Sequence, residues 1–349
     1  MSHNEDPEAF EVAVVGGGPA GLSAALYTTR LGHDTVLIDR GGGRAAMMAE
    51  THNVVGITED VSGKELIQTA REQLRSYGTT LERGFVDSIE RDEDGPFRLE
   101  AGDAAYLAEA VVLATGFTDE RPDPPLPRTS KGLHYCLHCD AYMFVDEPVY
   151  VMGHDDPAAY VAMIMLNFTD EVDLLTRGHE PEWSDETAEL LAAHPVEVVE
   201  PEVAGVRNGE DGWLEALEFA DGTVREYRGG FAVYGSDYHT DLAEQLGCER
   251  NDDGTIAVDD HGNTSVDGVY AVGDVTPGHN QIPVAMGEGA KAGLDIYYDL
   301  RRFPMDLDEI DARGGIDPEE VPGLSPAIRA AALDHDSNVG RRGQSAADD

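Results

Sequence analysis

The sequence VAVVGGGPAG, residues 12–21, joins a short apolar run to a glycine-rich turn of the form G-x-G-x-x-G. The apolar run is typical of a buried parallel strand. Apolar residues after the turn, from Leu22 to Leu26, recur at helical spacing. The glycines let a pyrophosphate approach the backbone, and the N-terminus of the following helix favours its charge. These features predict a dinucleotide-binding strand–turn–helix unit.

A second apolar run, residues 35–38, ends at Asp39. In dinucleotide-binding units an acid about 20 residues beyond the glycines binds the ribose hydroxyls, and Asp39 has that spacing. Strand, turn, helix and acid therefore occur in the required order. We favour a nucleotide site here over a tight glycine turn without a ligand.

The same layout recurs later in the chain, with strands predicted at 149–152 and 172–176 and a helix between them. The predicted fold class is therefore α/β, with two Rossmann-like, three-layer βαβ domains. The second turn departs from the fingerprint, because Asp155 replaces the central glycine. A carboxylate there adds bulk and repels phosphate. Asp156-Pro157 suggests an N-cap followed by proline at the first helical position.

Between the two units lies Cys136-Leu137-His138-Cys139-Asp140, and the only other cysteine is Cys248. Two cysteines at this spacing can form a disulfide or bind a metal. Zinc ligation by His134, His138 and their cysteine and aspartate neighbours is disfavoured, because structural sites draw ligand pairs from separate segments. Inert buried cysteines are a third interpretation, which the acid and histidine neighbours disfavour. We favour a redox pair and assign no metal site.

Four motifs carry a family resemblance: GGGPAG at 16–21, ATG at 114–116, CLHCD at 136–140 and YAVGD at 270–274. Together they resemble low-molecular-weight thioredoxin reductases, which are FAD-dependent pyridine nucleotide-disulfide oxidoreductases. The resemblance implies a split FAD domain (10–120 and 240–300) and an inserted NAD(P)-type domain (121–239) that carries the cysteines and rotates between two states. The acidic extension, 301–349, is expected to be partly disordered apart from a short helix at 325–333.

The resemblance also implies how FAD is bound. By position it assigns FAD binding to Gly16, Gly18, Pro19, Ala20, Gly21, Asp39, Arg40, Gly43, Arg44, Asn53, Val86, Thr115, Gly116, Asp274, Gln281 and Ile282. Arg44 is a departure, since the family usually has Gln there. A cation at this position either raises the flavin potential or grips phosphate, and the sequence does not choose between them.

The electron donor is the main open question. The family uses NADPH, with a basic cluster after the second strand of the inserted domain, whereas this chain has Asp155 in the turn and Arg177 as the one arginine after that strand. NADPH is therefore a doubtful ligand. NADH and ferredoxin remain alternative donors.

The resemblance assigns roles to the redox centre. Cys139 is expected to meet the flavin, Cys136 to attack the substrate disulfide, and Asp140 to act as acid–base. His138, when protonated, is expected to lower a thiol pKa. The implied partner is a thioredoxin-like protein, and the implied assembly is a homodimer. Two rival hypotheses remain: a flavin dithiol oxidase using oxygen, and a non-enzymatic metal- or redox-sensing protein.

The charge restricts partners and environment. Sixty-nine acidic residues against 24 basic ones give a net charge of −45. Such self-repulsion is tolerable where concentrated salt shortens the screening length to ~3 Å. We therefore expect a halophilic, cytoplasmic protein, rather than an acidic protein that docks a basic partner, because the acid is spread along the chain. The charge opposes binding to nucleic acid or anionic membranes. No signal peptide or membrane-spanning run is expected.

Overall fold

The computed structural model describes residues 7–91, 95–122, 126, 130–319, 321 and 323–335. Its strands are β1 (Glu8–Val15), β2 (Thr35–Asp39), β3 (Thr80–Arg83), β4 (Ser88–Arg91), β5 (Phe97–Ala101), β6 (Ala104–Leu113), β7 (Phe117–Asp119), β8 (Leu133–His134), β9 (Val149–Met152), β10 (Val172–Leu175), β11 (Val196–Val199), β12 (Val203–Asn208), β13 (Leu214–Phe219), β14 (Val224–Glu226), β15 (Gly229–Ala232), β16 (Ser236–Tyr238) and β17 (Val269–Ala271).

The α-helices of the described residues are α1 (Pro19–Arg30), α2 (Gly63–Tyr77), α3 (Leu137–Asp140), α4 (Asp156–Met165), α5 (Asp185–Ala193), α6 (Asp241–Leu246), α7 (Ile282–Leu300), α8 (Leu307–Arg313) and α9 (Pro326–Asp334). Short 3₁₀ turns occupy Ala45–Met47 and Ala141–Phe144. Among the described residues no helix has both the length and the apolar character to cross a membrane.

Internal contacts divide the chain into two units. Unit 1 comprises Met1–Met47, Val61–Phe117 and Tyr238–Asp349, and unit 2 comprises Met48–Asp60 and Thr118–Asp237. Residues 48–60, which we expected in the FAD domain, thus group with unit 2. The domain assignment itself stays a proposal.

Unit 1 is built on a seven-stranded sheet in the order β3-β2-β1-β6-β5-β4, with β17 also pairing β6. Strand β6 changes partner along one of its edges. On one edge it is parallel to β1 from Tyr106 to Leu113; on the other edge Ala104–Ala108 pair antiparallel with β5, and Val111–Leu113 pair parallel with β17. The second arm of the β5–β6 hairpin therefore continues directly into a parallel strand of the sheet. Because Val15 is in register with both Ile38 and Leu113, the carboxyl ends of the parallel strands lie side by side.

Side chains along β1 point alternately to the two faces of this sheet, and both faces are buried. Val12 and Val14 pack with α1 and α7, whereas Ala13 and Val15 face the cluster that includes α6 and the β4–β5 hairpin. A Cβ on Gly289 would lie 2.1 Å from the carbonyl oxygen of Ala20. The absence of a side chain there lets α7 approach α1 closely, which fixes α1 and the turn before it.

Unit 2 contains a five-stranded parallel sheet in the order β11-β10-β9-β15-β8. Residues of β9 and β10 pack with α4 and α5 on one face. An antiparallel sheet, β12-β13-β14, packs its residues with Tyr150 and Leu175 on the other face. A turn at Asp221-Gly222 connects β13 to β14. With strands at both predicted βαβ positions, the α/β fold class with Rossmann-like domains is confirmed.

The C-terminal extension contains more structure than expected. Helix α8 was not predicted, and α9 lies at the predicted short helix. Ile328 of α9 is buried, and the His335 ring stacks on Tyr77 of α2 at 4.4 Å. The disorder expected beyond residue 335 falls outside the described residues.

Candidate functional site

The first glycine turn has the geometry of an open phosphate cradle. A Cβ on Gly16 would meet the Ala114 carbonyl oxygen at 2.3 Å, and one on Gly21 would meet the Gly16 carbonyl oxygen at 2.0 Å. Gly18 differs from both, because nothing lies within 4 Å of its Cβ position. Gly18 is the N-cap of α1, and no side chain caps this helix among the described residues. The first turn of α1 is therefore available to a phosphate.

Pro19 and Ala20 complete this turn in the expected way. Pro19 is the first helical residue, where its missing N–H costs nothing. Ala20 is buried, and a Cβ on Gly273 would lie 2.7 Å from its methyl group. The small residues thus bring the turn after β17 against the start of α1.

Asp39 follows β2 at the same edge of the sheet. Its Oδ2 accepts a bond of 2.8 Å from Nη1 of Arg71 on α2, and both side chains are largely buried. Arg40 instead places its guanidinium over the Phe85 ring at 5.7 Å. Arg71 holds one carboxylate oxygen of Asp39, which leaves Oδ1 for a ribose hydroxyl.

The turn after β6 is tied to the returning chain. Thr115 Oγ1 donates to the carbonyl of His239 at 2.7 Å, and the His239 N–H donates to the carbonyl of Gly116 at 3.0 Å. Arg44 lies with its guanidinium 5.0 Å above the Phe117 ring. This contact fixes Arg44 beside the ATG turn.

Other predicted FAD residues are dispersed. Gly43 is exposed with φ 85°, Val86 is a core residue of unit 1, and Asn53 belongs to the segment that groups with unit 2. Gln281 is the N-cap of α7, and Ile282 is its first residue. The structure therefore collects Gly16–Gly21, Asp39, Thr115 and Asp274 at the strand ends of unit 1.

Asp274 has an acidic neighbour that we did not predict. The Gly273 N–H donates to Oε2 of Glu288 on α7 at 2.8 Å. Burial is the main cause that raises the pKa of Glu288, and the charge of Asp274 adds to it, while the Gly273 N–H acts in the opposite direction. Glu288 thus anchors the turn that presents Asp274.

The second glycine turn is closed by its own side chain. Asp155 is the N-cap of α4, and its Oδ1 accepts the N–H of Ala158 at 3.1 Å. The expectation that Asp156 is the cap is wrong. Asp156 is the first helical residue, and its Oδ1 accepts the N–H of Ser184 at 2.9 Å. A carboxylate therefore takes the place of a phosphate at this helix N-terminus.

Neighbouring residues close the second turn further. The Glu182 N–H donates to the carbonyl of His154, and the His154 ring stacks on His179 at 4.7 Å. Arg177 is only 6% exposed, has a left-handed φ of 53°, and its Nη1 lies 3.4 Å from the Tyr234 hydroxyl. The arginine expected to bind a 2′-phosphate is thus directed into the protein.

The redox pair is a disulfide in the structure. Cys136 and Cys139 are joined by an S–S bond of 2.01 Å at the start of α3. The Cys139 N–H donates to Sγ of Cys136 at 3.1 Å, and the Asp140 N–H donates to the carbonyl of Cys136 at 3.2 Å. An N–H directed at sulfur favours a thiolate on Cys136 once the disulfide opens.

Two histidines flank Asp140. The buried His134 lies with Nδ1 2.7 Å from Oδ2, and His52 lies with Nδ1 3.7 Å from Oδ1. His138, the histidine expected to act on the thiols, is exposed. His52 was missed because no spacing rule joins residue 52 to residue 140. Arg71 and Glu288 were missed for the same reason.

These sites define a class of protein: an α/β protein with two dinucleotide-type units, one of which carries a disulfide. A family model described as pyridine nucleotide-disulphide oxidoreductase matches residues 10–289. The chain belongs to this family.

Several known proteins are similar. Thioredoxin reductase of Peptoclostridium litorale is 30% identical over 308 residues, which are 82% of this chain and 95% of that protein. The solved thioredoxin reductase of Streptococcus pyogenes MGAS5005 has a TM-score of 0.78 at 29% identity and covers 85% of this chain and 100% of its own. The solved structure of HlmI has a TM-score of 0.77 at 31% identity, and the match covers 95% of this chain and 98% of HlmI.

Membership of this family implies a bound flavin. The first turn fits FAD, because Gly18 leaves open space at an uncapped helix N-terminus and Asp39 stands at the ribose position. The second turn does not fit a dinucleotide pyrophosphate in its capped state, because Asp155 already occupies the Ala158 N–H.

Proposed function

We propose that this protein is an FAD-dependent disulfide reductase whose Cys136–Cys139 pair reduces a thioredoxin-like protein. The observation that carries the proposal is the disulfide beside Asp140 on one helical turn. The similarity to thioredoxin reductases supports the choice of substrate class. By the same resemblance we propose a homodimer, which sedimentation in concentrated KCl would test.

The chain supplies the exchange chemistry. The Cys136 thiolate attacks one sulfur of the partner disulfide, and the released partner thiolate takes a proton from Asp140. Cys139 then attacks Cys136, which restores the disulfide and releases the partner as a dithiol. When bound, FAD would supply the electron pair that reopens Cys136–Cys139, and Gly18 and Asp39 would hold its pyrophosphate and ribose.

The donor is part of the proposal and is decided by experiment. The Asp155 cap disfavours NADPH at the second turn, and NADH and a one-electron carrier such as ferredoxin are the alternative donors. Anaerobic protein in concentrated KCl is mixed with NADPH, NADH or reduced ferredoxin while the flavin absorbance is followed. Rapid bleaching by NADPH would mean that the second turn admits a nicotinamide cofactor, and bleaching by reduced ferredoxin alone would mean a changed donor; the reductase assignment stands in both cases.

Cys139→Ser tests the reductase assignment. The variant should keep its flavin and lose thioredoxin reduction. Cys248→Ser is the matched control, because burial raises the pKa of the Cys248 thiol and keeps it unreactive. Retained thioredoxin reduction in Cys139→Ser would overturn the proposal. Peroxide formation from a dithiol, without thioredoxin reduction, would indicate a dithiol oxidase.

A further inference from the structure

We propose that Arg44 raises the reduction potential of the flavin by holding a positive charge at the flavin end of the FAD site. This inference rests on the proposed function, because it requires FAD to be bound at the first glycine turn. The residues that carry it, Arg44 and Phe117, both belong to unit 1, so their contact does not depend on where the cysteine-bearing unit lies.

The order of the strands defines two sides of the FAD site. The parallel strands run in the order β2-β1-β6, with β17 on the far edge of β6. A dinucleotide lies across the carboxyl ends of such strands. Asp39 at the end of β2 has the ribose position, and Gly18 after β1 has the pyrophosphate position. The riboflavin half would therefore extend away from β2, over the ends of β6 and β17.

Three consecutive glycines shape the segment that presents Arg44. Gly41, Gly42 and Gly43 follow β2 with φ values of 82°, 82° and 85°, a left-handed conformation that other residues rarely adopt. A 3₁₀ turn begins directly after Arg44, and the Met47 N–H donates to the Arg44 carbonyl at 3.1 Å. Local structure on both sides of Arg44 thus defines its backbone position.

The side chain of Arg44 lies on the riboflavin side. Its guanidinium is 5.0 Å above the ring of Phe117, which follows the turn after β6, although Arg44 itself comes shortly after β2 in the chain. The Phe117 ring is buried and makes a T-shaped contact with the Tyr238 ring at 5.7 Å. A cation over a buried aromatic face is attracted to that face, so the position of the charge is fixed.

A fixed positive charge has a defined effect on a flavin. Reduction adds negative charge to the flavin ring, and protein charges beside the ring tune its electronics. The guanidinium of Arg44 is always protonated, and its half-buried position means that salt screens it less than an exposed charge. The acids at the turn after β17, Asp274 and Glu288, act in the opposite direction. Arg44 therefore stabilises the reduced flavin relative to the oxidised flavin.

This effect adjusts an exchange that the proposed function requires. A flavin of higher potential accepts electrons from a donor more readily, and it retains more of them at equilibrium with the Cys136–Cys139 pair. Arg44 thereby favours reduction of the flavin over its reoxidation by the disulfide.

The test measures the flavin itself. Full-length, FAD-loaded protein in concentrated KCl is titrated with sodium sulfite, whose sulfur lone pair forms a bond to N5 of the oxidised ring and leaves a negative charge on that ring. In Arg44→Gln we expect sulfite to bind about tenfold more weakly, the effect of one unit charge in a partly buried site. The two-electron reduction potential, measured against a reference dye, should fall by about 30 mV, which is the same tenfold factor.

Two further variants separate the charge from other effects. Arg44→Lys keeps a positive charge on a side chain of different shape and should retain most of the sulfite affinity. Arg30→Gln is the matched control, because the Arg30 guanidinium also lies over a ring, that of Tyr77 at 4.8 Å, but at the C-terminal end of α1. It changes the net charge by the same amount and should leave both flavin measurements unchanged.

The outcomes separate this inference from the proposed function. If Arg44→Gln loses its FAD, or keeps FAD with unchanged sulfite affinity and potential, or if Arg44→Lys is as weak as Arg44→Gln, the charge does not tune the flavin and the inference is overturned alone. If the wild type binds no FAD, the proposed function is overturned and the inference with it. The expected shifts together with thioredoxin reduction by Cys139→Ser would support the role of Arg44 and overturn only the disulfide assignment.

Discussion

The carboxylate of Asp155 accepts the backbone N–H of Ala158 at 3.1 Å, so helix α4 carries its own anion at its N-terminus. Helix α1 begins with Gly18 and has no side-chain cap among the described residues. The two turns thus share the strand–turn–helix layout, but only the N-terminus of α1 is open to a phosphate.

Asp155→Gly should open the second turn. Removing a fixed negative charge from a helix N-terminus is worth ~1 kcal/mol, which corresponds to about fivefold in affinity. We expect NADPH to bleach the flavin at least about fivefold faster at subsaturating concentration, while replacing the cap by glycine costs only a few tenths of a kcal/mol in stability. Stopped-flow absorbance and thermal unfolding measure the two effects.

Ser184→Gly is the matched control for that change. Ser184 caps α5 in the same unit by accepting the Thr187 N–H at 3.2 Å. Removing this cap should lower the stability by a similar amount without accelerating the reduction of the flavin by NADPH. If both variants respond equally, or Asp155→Gly shows no acceleration, then Asp155 does not control access to this turn.

Gly18 and Gly21 should respond differently to alanine. A methyl group on Gly18 enters open space, so Gly18→Ala should fold with a loss of about 1 kcal/mol at most, yet bind FAD at least about tenfold more weakly because the phosphate is obstructed. A methyl group on Gly21 would lie 2.0 Å from the Gly16 carbonyl oxygen. Gly21→Ala should therefore lose about 1–3 kcal/mol or more of stability through overpacking. Flavin content and urea unfolding of the flavin-free protein separate the two effects.

A reversed result would change the assignment of the turn. If Gly18→Ala keeps full FAD affinity, the pyrophosphate does not approach the backbone at Gly18. If Gly21→Ala is as stable as the wild type, α1 can move away from the strand end, and the tight contact is not required.

The sequence predicted the elements whose cause is local. Buried strands, glycine turns and the cysteine pair are set by neighbouring residues, so the parallel strands at 12–15, 35–38, 149–152 and 172–175 were found. It did not predict that β6 joins a hairpin arm to a parallel strand, because the change of partner from β5 at Ala108 to β17 at Val111 depends on a strand about 160 positions further along the chain.

Contacts between residues far apart in the chain could not be predicted from the sequence. Arg71 meets Asp39 across 32 positions, and His52 meets Asp140 across 88. Even the cap of α4 was misplaced by one residue. Asp155 and Asp156 are both suitable caps, and only the backbone shows which one precedes the helix.

Glu288 should make stability depend on pH in a defined direction. Its raised pKa means that the folded protein holds this proton more tightly than the unfolded chain does. The folded state is therefore penalised as pH rises from the ordinary glutamate value of about 4.3 through the raised value. Glu288→Gln keeps an acceptor for the Gly273 N–H and removes the charge, so it should unfold at a higher temperature than the wild type at neutral pH.

The difference between Glu288→Gln and wild type should shrink toward zero near pH 4, where both side chains are neutral. Glu90→Gln, at an exposed position of β4, should show no such trend. A difference that grows as pH falls would mean that ionised Glu288 stabilises the fold, which is the opposite sign.

The net charge of −45 predicts that salt stabilises the protein. Raising KCl from 0.1 M to 1 M shortens the screening length from about 10 Å to about 3 Å, which removes most repulsion between exposed carboxylates. The unfolding temperature should climb steeply over this range and then level off. Stabilisation by solute exclusion would instead continue to rise in concentrated sulfate.

The double variant Glu186→Gln with Glu189→Gln removes two exposed charges from α5. It should lower the KCl concentration at which half of the rise in unfolding temperature is reached. An unfolding temperature that is independent of KCl would show that the acidic surface is already neutralised, for example by bound cations, and would refute the halophilic assignment.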